Sequence, residues 1–168
     1  EIVRPVPPAG RFRPAGDRSE YYPLTYQTPS NGLSLPIGFD FGSRADDRAA
    51  IQHMLDTGLF SQGHRVAEDD HFVGMYVFAP IIYPADNAPV PSPLYMAGFA
   101  VAIFRPALIL DRAATGLNVP DFRAEFVEPP PTFHASTPAV AIIGSPSTAL
   151  RFEATVRVAD HTWLLRCE

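Results

Sequence analysis

The sequence predicts a mixed α/β (α+β) domain, in which antiparallel strands alternate with two helices. Two observations lead to this prediction. One segment has helical periodicity and clear end signals, and two long apolar segments, 72–79 and 95–105, suit buried strands. The order strand, helix, strands also occurs twice, and the second series begins near Pro106. The chain therefore suits one domain or two small fused lobes, residues 1–105 and 106–168, built from antiparallel sheets with flanking helices.

The clearest helix is predicted over residues 44–56. Ser43 can act as its N-cap, and Asp46 lies three residues further on, where a capping box places its acidic partner. Gly58 is placed to end the helix in a left-handed conformation. Four apolar residues recur at helical spacing and are expected to face the core, namely Ala50, Ile51, Met54 and Leu55.

The other elements follow from apolar runs and from proline and glycine signals. Several prolines make residues 1–20 mostly irregular, and the polar residues 59–68 are expected to form a loop. A second helix is predicted over 106–114, with a stop at Gly116. Strands are predicted at 36–42, 72–79 with an extension over 81–83, 95–105, 122–127, 139–143, 150–158 and 161–166, with a hairpin turn at residues 160–161.

Composition argues against several classes of function. The formal net charge of −5 disfavours nucleic-acid binding, which needs clustered positive charge. No run of about 18 apolar residues is present, so the sequence contains no predicted membrane span. Cys167 is the only cysteine, so an internal disulfide is excluded and a zinc cluster of cysteines cannot form.

No catalytic residues, metal ligands or cofactor site are predicted. The five histidines lack HExxH spacing, and no glycine-rich phosphate loop is present. The DTG sequence at Asp56 follows a helix, whereas the same sequence in aspartic proteases follows a strand. Residues 68–71 are acidic and end in histidine, but consecutive side chains do not converge easily on one ion, so a solvated loop is expected. We expect this domain not to be an enzyme.

Asp40 is the first candidate ligand-binding residue. If residues 37–42 form a strand, Ile37, Phe39 and Phe41 share a core face, and Asp40 lies between glycines on the other face. The glycines at 38 and 42 leave space beside the carboxylate, where a ligand could donate N–H groups. The alternative is a solvent-exposed aspartate, or one paired with an arginine. Periodicity leaves both interpretations open.

The strand at 95–105 suggests a second wall of a ligand pocket. Gly98, Ala100 and Ala102 share one face, and Phe99 lies on the opposite face. Small residues on a central strand can form the floor of a pocket or accept a closely packed helix. Tyr76 offers an apolar ring with a polar tip, which suits a mostly apolar site, although a core tyrosine is the more common case.

A series of motifs over residues 22–105 resembles one known family. The motifs are YPxxY from Tyr22, GxDxxSxxxxR from Gly38 to Arg48, DTG from Asp56, PxxY from Pro80, and AGFxxxxFR from Ala97 to Arg105. No single motif is specific, but their order and spacing together resemble the CHASE domain. CHASE domains are extracytoplasmic sensory modules of histidine kinases, nucleotide cyclases and diguanylate cyclases.

The resemblance implies two PAS-like lobes, with ligand bound in the membrane-distal lobe. Family members begin with a long stalk helix, which is expected before Glu1 and through which we expect a homodimer to form. In the plant cytokinin receptors an aspartate at the position of Asp40 binds an adenine-type ligand, and a polar residue precedes the next core strand, here near Asp70. The expected ligand-binding residues are Asp40, Gly38, Asp70, Tyr76, Phe99 and Ala102.

The resemblance therefore leads to one expected function and one alternative. The expected function is the sensing of a small organic molecule by a periplasmic or extracellular domain of a bacterial membrane receptor. The kinase or cyclase output is expected in another part of that receptor, and contact with the membrane only through flanking segments. Replacing Asp40 with Ala should then abolish binding and leave the fold intact. The alternative is a protein-interaction module without a small-molecule ligand, which an Asp40–Arg pair would favour.

Overall fold

A computed structural model shows an α+β fold built from antiparallel sheets and two helices. It describes residues 2–6, 11–28, 35–68, 71–83, 95–117, 123–127, 139–143 and 152–167. Within these ranges the strands form a two-stranded, a three-stranded and a four-stranded sheet. Hydrophobic side chains collect in two clusters: the first contains only residues before position 105, and the second joins Met75 and Phe104 to residues of the second half of the chain. The predicted fold class is thus confirmed at the level of α+β with antiparallel sheets.

Helix α1 spans Ala45–Thr57, which confirms the predicted helix. Gly58 ends it in the left-handed conformation, at φ 69°, and donates its N–H to the carbonyl of Met54 at 2.8 Å. The predicted N-cap is wrong, because Arg44 occupies that position and the Ser43 hydroxyl donates instead to the Asp40 carbonyl at 2.6 Å. Leu55, predicted to face the core, is 40% exposed because it lies just outside the apolar stripe.

The predicted strand at 36–42 is also wrong. Gly38 has φ 87°, and a short 3-10 turn, Phe41–Ser43, begins directly after Asp40. The chain therefore bends and the expected alternation of faces is lost: Ile37 is 57% exposed, whereas Asp40 is as fully buried as its neighbour Phe39. Single bridges connect this bend to residues 3 and 23.

Three strands lie where the sequence predicted irregular structure. Strands β1 (Val3–Val6) and β2 (Arg11–Pro14) form a hairpin within the proline-containing first segment. Strand β3 (Ser61–Glu68) occupies the predicted polar loop. Prolines are tolerated at sheet edges, where no ladder N–H is required of them. The β3 residues form a strand because they pair with the apolar strand that follows.

The three-stranded sheet has the order β3-β4-β5, with β4 spanning His71–Tyr83 and β5 spanning Tyr95–Phe104. Both long apolar strands were predicted. Tyr76 pairs with Ile103 and Phe78 with Val101, and these side chains share the face that packs against α1 and the first cluster. Among the described strands, β5 pairs only with β4, so it lies at an edge and not at the centre.

Helix α2 spans Pro106–Leu117 and starts the second half of the fold. It continues through Gly116, where a stop was predicted, because a glycine permits a helix even though it weakens one. The predicted strands of this half are confirmed with small changes in their ends: β6 (Ala124–Val127), β7 (Ala139–Ile143), β8 (Phe152–Val158) and β9 (His161–Cys167), in the sheet order β7-β6-β9-β8. The β8–β9 turn consists of residues 159–160, one residue earlier than predicted.

The two hydrophobic clusters meet at the three-stranded sheet. Met75 and Phe104, from the strands of that sheet, pack with Phe126 and Trp163 in the second cluster. The Trp163 indole N–H also donates to the Gln62 side-chain oxygen at 3.3 Å. Packing therefore crosses the predicted boundary at residue 105, and the division into two lobes stays a prediction.

Candidate ligand-binding site

A cavity of about 850 Å³ lies beside the first hydrophobic cluster. Its walls come from two stretches of chain, residues 21–28 and residues 97–103 of β5, and from five further side chains: Leu35, Phe41, Tyr76, Ile81 and Arg105. Sites for small organic molecules usually enclose roughly 300–1,000 Å³ and are lined mainly by apolar and aromatic groups. The size and lining of this cavity suit such a molecule.

Aromatic rings form the inner wall of the cavity. The Phe41 ring lies 5.5 Å from that of Tyr76 and 6.3 Å from that of Phe99, both edge to face. Tyr22 lies 6.1 Å from Phe99 on the other side. Edge-to-face contacts hold each ring against its neighbours, so this wall is pre-formed.

Two tyrosines of this wall, Tyr76 and Tyr22, carry hydroxyl groups. Burial raises the pKa of Tyr76, although the nearby Arg44 guanidinium acts in the opposite direction. Burial also raises the pKa of Tyr22, and the hydrogen bond that its hydroxyl donates to Glu20 at 2.9 Å adds to this effect. Both hydroxyl groups therefore stay protonated at neutral pH. The Tyr22 hydroxyl donates to Glu20, and the Tyr76 hydroxyl lies beside the Arg44 guanidinium. Neither Glu20 nor Arg44 is among the residues that line the cavity.

The other polar wall is the edge of β5 that faces away from β4, which has no partner strand among the described residues. An edge strand presents backbone N–H and C=O groups that have no partner strand. A Cβ atom added to Gly98 would meet no other atom within 4 Å, so the space beside this residue is open. A ligand at this edge has both backbone hydrogen-bonding groups and room to approach them.

Asp40 lies outside the cavity wall and is fully buried. One carboxylate oxygen accepts hydrogen bonds from the backbone N–H groups of Tyr22, at 2.9 Å, and of Gly42, at 3.0 Å. The other oxygen forms an ion pair with the Arg18 guanidinium. Of the two interpretations left open by the sequence, the arginine pair is the one in the structure. Asp40 thus anchors Tyr22, whose side chain lines the cavity.

The structure brings together three of the six predicted ligand-binding residues. Tyr76, Phe99 and Ala102 all line the cavity. Gly38 does not; its N–H donates to the Leu24 carbonyl at 2.8 Å, which ties the bend to the segment leading into the cavity wall. Asp70 lies outside the described residues. No ligand contact is thereby tested for any of them.

Residues 21–28 and Arg105 were not predicted as site residues, although Tyr22, Tyr26 and Arg105 belong to motifs quoted above. Tyr22 and Tyr26 are the two tyrosines of YPxxY, and Arg105 ends AGFxxxxFR. A cluster of tyrosines beside a proline is a signal for an amphipathic surface that could have drawn attention to this segment.

An aromatic cavity of this size along a sheet edge is the kind of feature in which small organic molecules bind. A comparison with family models gives the family: the model of the CHASE domain matches residues 4–131, more than half of the chain. The chain belongs to the CHASE family, whose members are extracytoplasmic sensory modules of signalling receptors and not catalytic domains. A search of curated proteins found no match. No helix in the described ranges is long and apolar enough to cross a bilayer.

Proposed function

We propose that this domain senses a small organic molecule on the outer side of the membrane, as part of a receptor with a histidine kinase or diguanylate cyclase output. The cavity along β5 carries the proposal, because its volume and its aromatic lining suit a small ligand. Membership of the CHASE family supports the sensory role and the extracytoplasmic location. The ligand would bias the receptor by its different affinities for two receptor states.

We further propose that the residues 1–105 and 106–168 act as a distal and a proximal PAS-like lobe. The two hydrophobic clusters support this division, since α1 packs in the first and α2 in the second. The contacts across residue 105 would let a change in the cavity wall reach the second sheet. A homodimer formed through flanking helical segments would then carry this change towards the output domain.

Direct ligand contacts are proposed for Tyr76, Phe99 and Ala102, because all three line the cavity. Asp40 and Gly38 receive a supporting role, since they hold residues 22–24 in place by hydrogen bonds. Adenine-type recognition by the Asp40 carboxylate is not supported by this geometry, because Arg18 and two backbone N–H groups already occupy the carboxylate oxygens.

A thermal-shift screen of the purified domain against purines, amino acids, small carboxylates and neutral aromatic compounds tests the proposal. A ligand at about 100 times its dissociation constant adds roughly 2.7 kcal/mol of stability, so a hit raises the unfolding midpoint clearly. Ala97→Trp fills the cavity from the β5 edge and should abolish the shift. Ala49→Trp, at an exposed position of α1 away from the cavity, is the matched control and should preserve it.

The protein-interaction module is the second candidate function, and two observations favour it. The Asp40–Arg18 pair satisfies the carboxylate without a ligand. Three large apolar side chains, Leu55, Leu59 and Phe60, are also exposed together at the end of α1. Exposed apolar patches of this kind often mark protein contacts. A screen without hits, combined with identical behaviour of Ala97→Trp and Ala49→Trp, would favour this function over small-molecule sensing.

A further inference from the structure

Charge is distributed unevenly around the cavity. Among the described residues that line it, Arg105 is the one charged side chain, and no aspartate or glutamate is present. The remaining lining side chains are apolar, aromatic, hydroxyl or amide groups. A positively charged ligand would therefore find no carboxylate in this part of the site, whereas an anionic ligand would find one guanidinium.

Two acidic side chains that contact Tyr22 in the cavity wall already have partners. Asp40 is paired with Arg18, and Glu20 accepts the hydroxyl proton of Tyr22. Within the described part of the chain, Arg105 itself makes no ion pair and no side-chain hydrogen bond. Arg105 is a half-buried residue of the cavity wall, and its guanidinium has no assigned partner among these residues. A negatively charged group that enters the cavity and pairs with this guanidinium would bind favourably.

The backbone on both sides of Arg105 is held in place. Phe104, the last residue of β5, precedes it, and the fully buried Pro106 begins α2 directly after it. The Arg105 carbonyl accepts the first hydrogen bond of α2, from the N–H of Ile109 at 3.2 Å. A guanidinium on a fixed backbone offers a planar fork of donors that matches the two oxygens of a carboxylate.

We propose that the ligand has an apolar body, aromatic or branched aliphatic, and a single carboxylate. The body lies against Tyr76 and Phe99, and the carboxylate pairs with Arg105 at the end of β5. A single charge is expected because one guanidinium compensates one charge in a site of low polarity. The inference rests on the proposed small-molecule function and adds the chemical class of the ligand.

Matched pairs of acids and amides test this class by isothermal titration calorimetry. The probes are benzoate with benzamide, phenylacetate with phenylacetamide, and isovalerate with isovaleramide, so that each pair differs mainly in charge. At least one carboxylate is expected to bind, and its amide roughly ten- to a hundredfold more weakly, because hydrogen bonds to charged groups are stronger than neutral ones. Arg105→Gln should weaken carboxylate binding by a similar factor and leave amide binding unchanged.

Arg112→Gln is the control, since Arg112 is exposed on α2 and does not line the cavity. It should keep the carboxylate affinity of the parent domain, and the unliganded midpoints of both variants should match the parent. Equal affinity for acid and amide, an unchanged affinity in Arg105→Gln, or the failure of all three carboxylates each overturns the inference. If a neutral compound binds and Ala97→Trp abolishes its binding, the proposed small-molecule function still holds although the inferred ligand class is wrong. If the broad screen gives no hit at all, both the proposed function and the ligand class are wrong.

Discussion

The Asp160 carboxylate accepts a hydrogen bond from the backbone N–H of Gln62 at 2.8 Å, which attaches the tip of the β8–β9 turn to the start of β3. The Ser61 hydroxyl donates to the second carboxylate oxygen at 3.1 Å. His161 and His53 lie 2.8 and 3.8 Å from the same carboxylate. One side chain thus joins the three-stranded sheet, which borders the cavity, to the four-stranded sheet.

Removing this carboxylate should weaken the junction between the sheets. Asp160→Ala leaves the buried Ser61 hydroxyl and the Gln62 N–H without their acceptor, and we expect a loss of about 1–3 kcal/mol in the free energy of unfolding. Urea unfolding measures the loss. Asp111→Ala, at an exposed position of α2, is the matched control and should change stability by less than about 0.5 kcal/mol. Equal effects of the two substitutions would mean that the junction adds no stability.

Asp160 should also make the stability sensitive to acid. Burial acts to raise the pKa of Asp160, but hydrogen bonds from His161, Gln62 and Ser61 outweigh it, so the pKa lies below the ordinary value of 3.8. The folded domain binds this proton less tightly than the unfolded chain does. Its carboxylate therefore contributes stability above about pH 4, and this contribution is lost as the pH falls through the folded-state pKa.

The measurement is the difference in unfolding free energy between the parent and Asp160→Ala, taken at several pH values from about 6 down to about 3. We expect the difference to be largest near pH 6 and to shrink as the pH falls. The difference removes the contributions of other acids that both proteins share. A difference that grows towards low pH would contradict the assigned direction of the pKa shift.

Asp47 should show the opposite pH dependence. It is fully buried at the start of α1 and accepts the His64 N–H at 2.7 Å, with the Arg44 guanidinium 3.7 Å away. Burial raises its pKa above 3.8, although both neighbours act to lower it. The folded domain holds this proton more tightly than the unfolded chain does, so stability falls as the pH rises from about 4 through the folded-state pKa.

Asp47→Asn isolates this effect because the amide oxygen can still accept the His64 N–H. We expect the variant to become more stable relative to the parent as the pH rises from about 4 to 7, because only the parent acquires a buried charge at position 47. The quantity compared is the free energy of unfolding. Chemical unfolding across this range measures it. Asp46→Asn, at the neighbouring exposed position, should show a much smaller change with pH. A flat difference for Asp47→Asn would show that Arg44 offsets the burial completely.

The elements that could be predicted from the sequence are those whose signals come from residues close together in the chain. Helix α1 has its acidic first turn, apolar stripe and terminal glycine within a few turns of chain, and β4 and β5 are long apolar runs. Strand β3 contains mostly polar residues and forms only because β4 pairs with it. Such pairing is a property of the tertiary structure, which local composition does not report.

The candidate site was predicted in part for the same reason. Tyr76 and Phe99 lie on strands whose alternation of faces could be predicted, and both line the cavity. The surroundings of Asp40 could not be predicted, because Gly38 bends the chain and the partner, Arg18, lies far away in sequence. Arg105 was visible only as the last residue of a motif, and its importance depends on the absence of acids around the described cavity wall.

The Asp40–Arg18 pair leads to a prediction that differs from the one made from the sequence. Asp40→Ala removes the acceptor of two backbone N–H groups and leaves the Arg18 guanidinium without its partner, so we expect a loss of about 3–5 kcal/mol in unfolding free energy instead of an intact fold. Asp17→Ala, at an exposed position, is the matched control. In a double-mutant cycle with Arg18→Ala, the two losses should be non-additive, because both substitutions break the same pair. Additive losses, or an Asp40→Ala domain as stable as the control, would contradict an anchoring role of Asp40 beside the cavity.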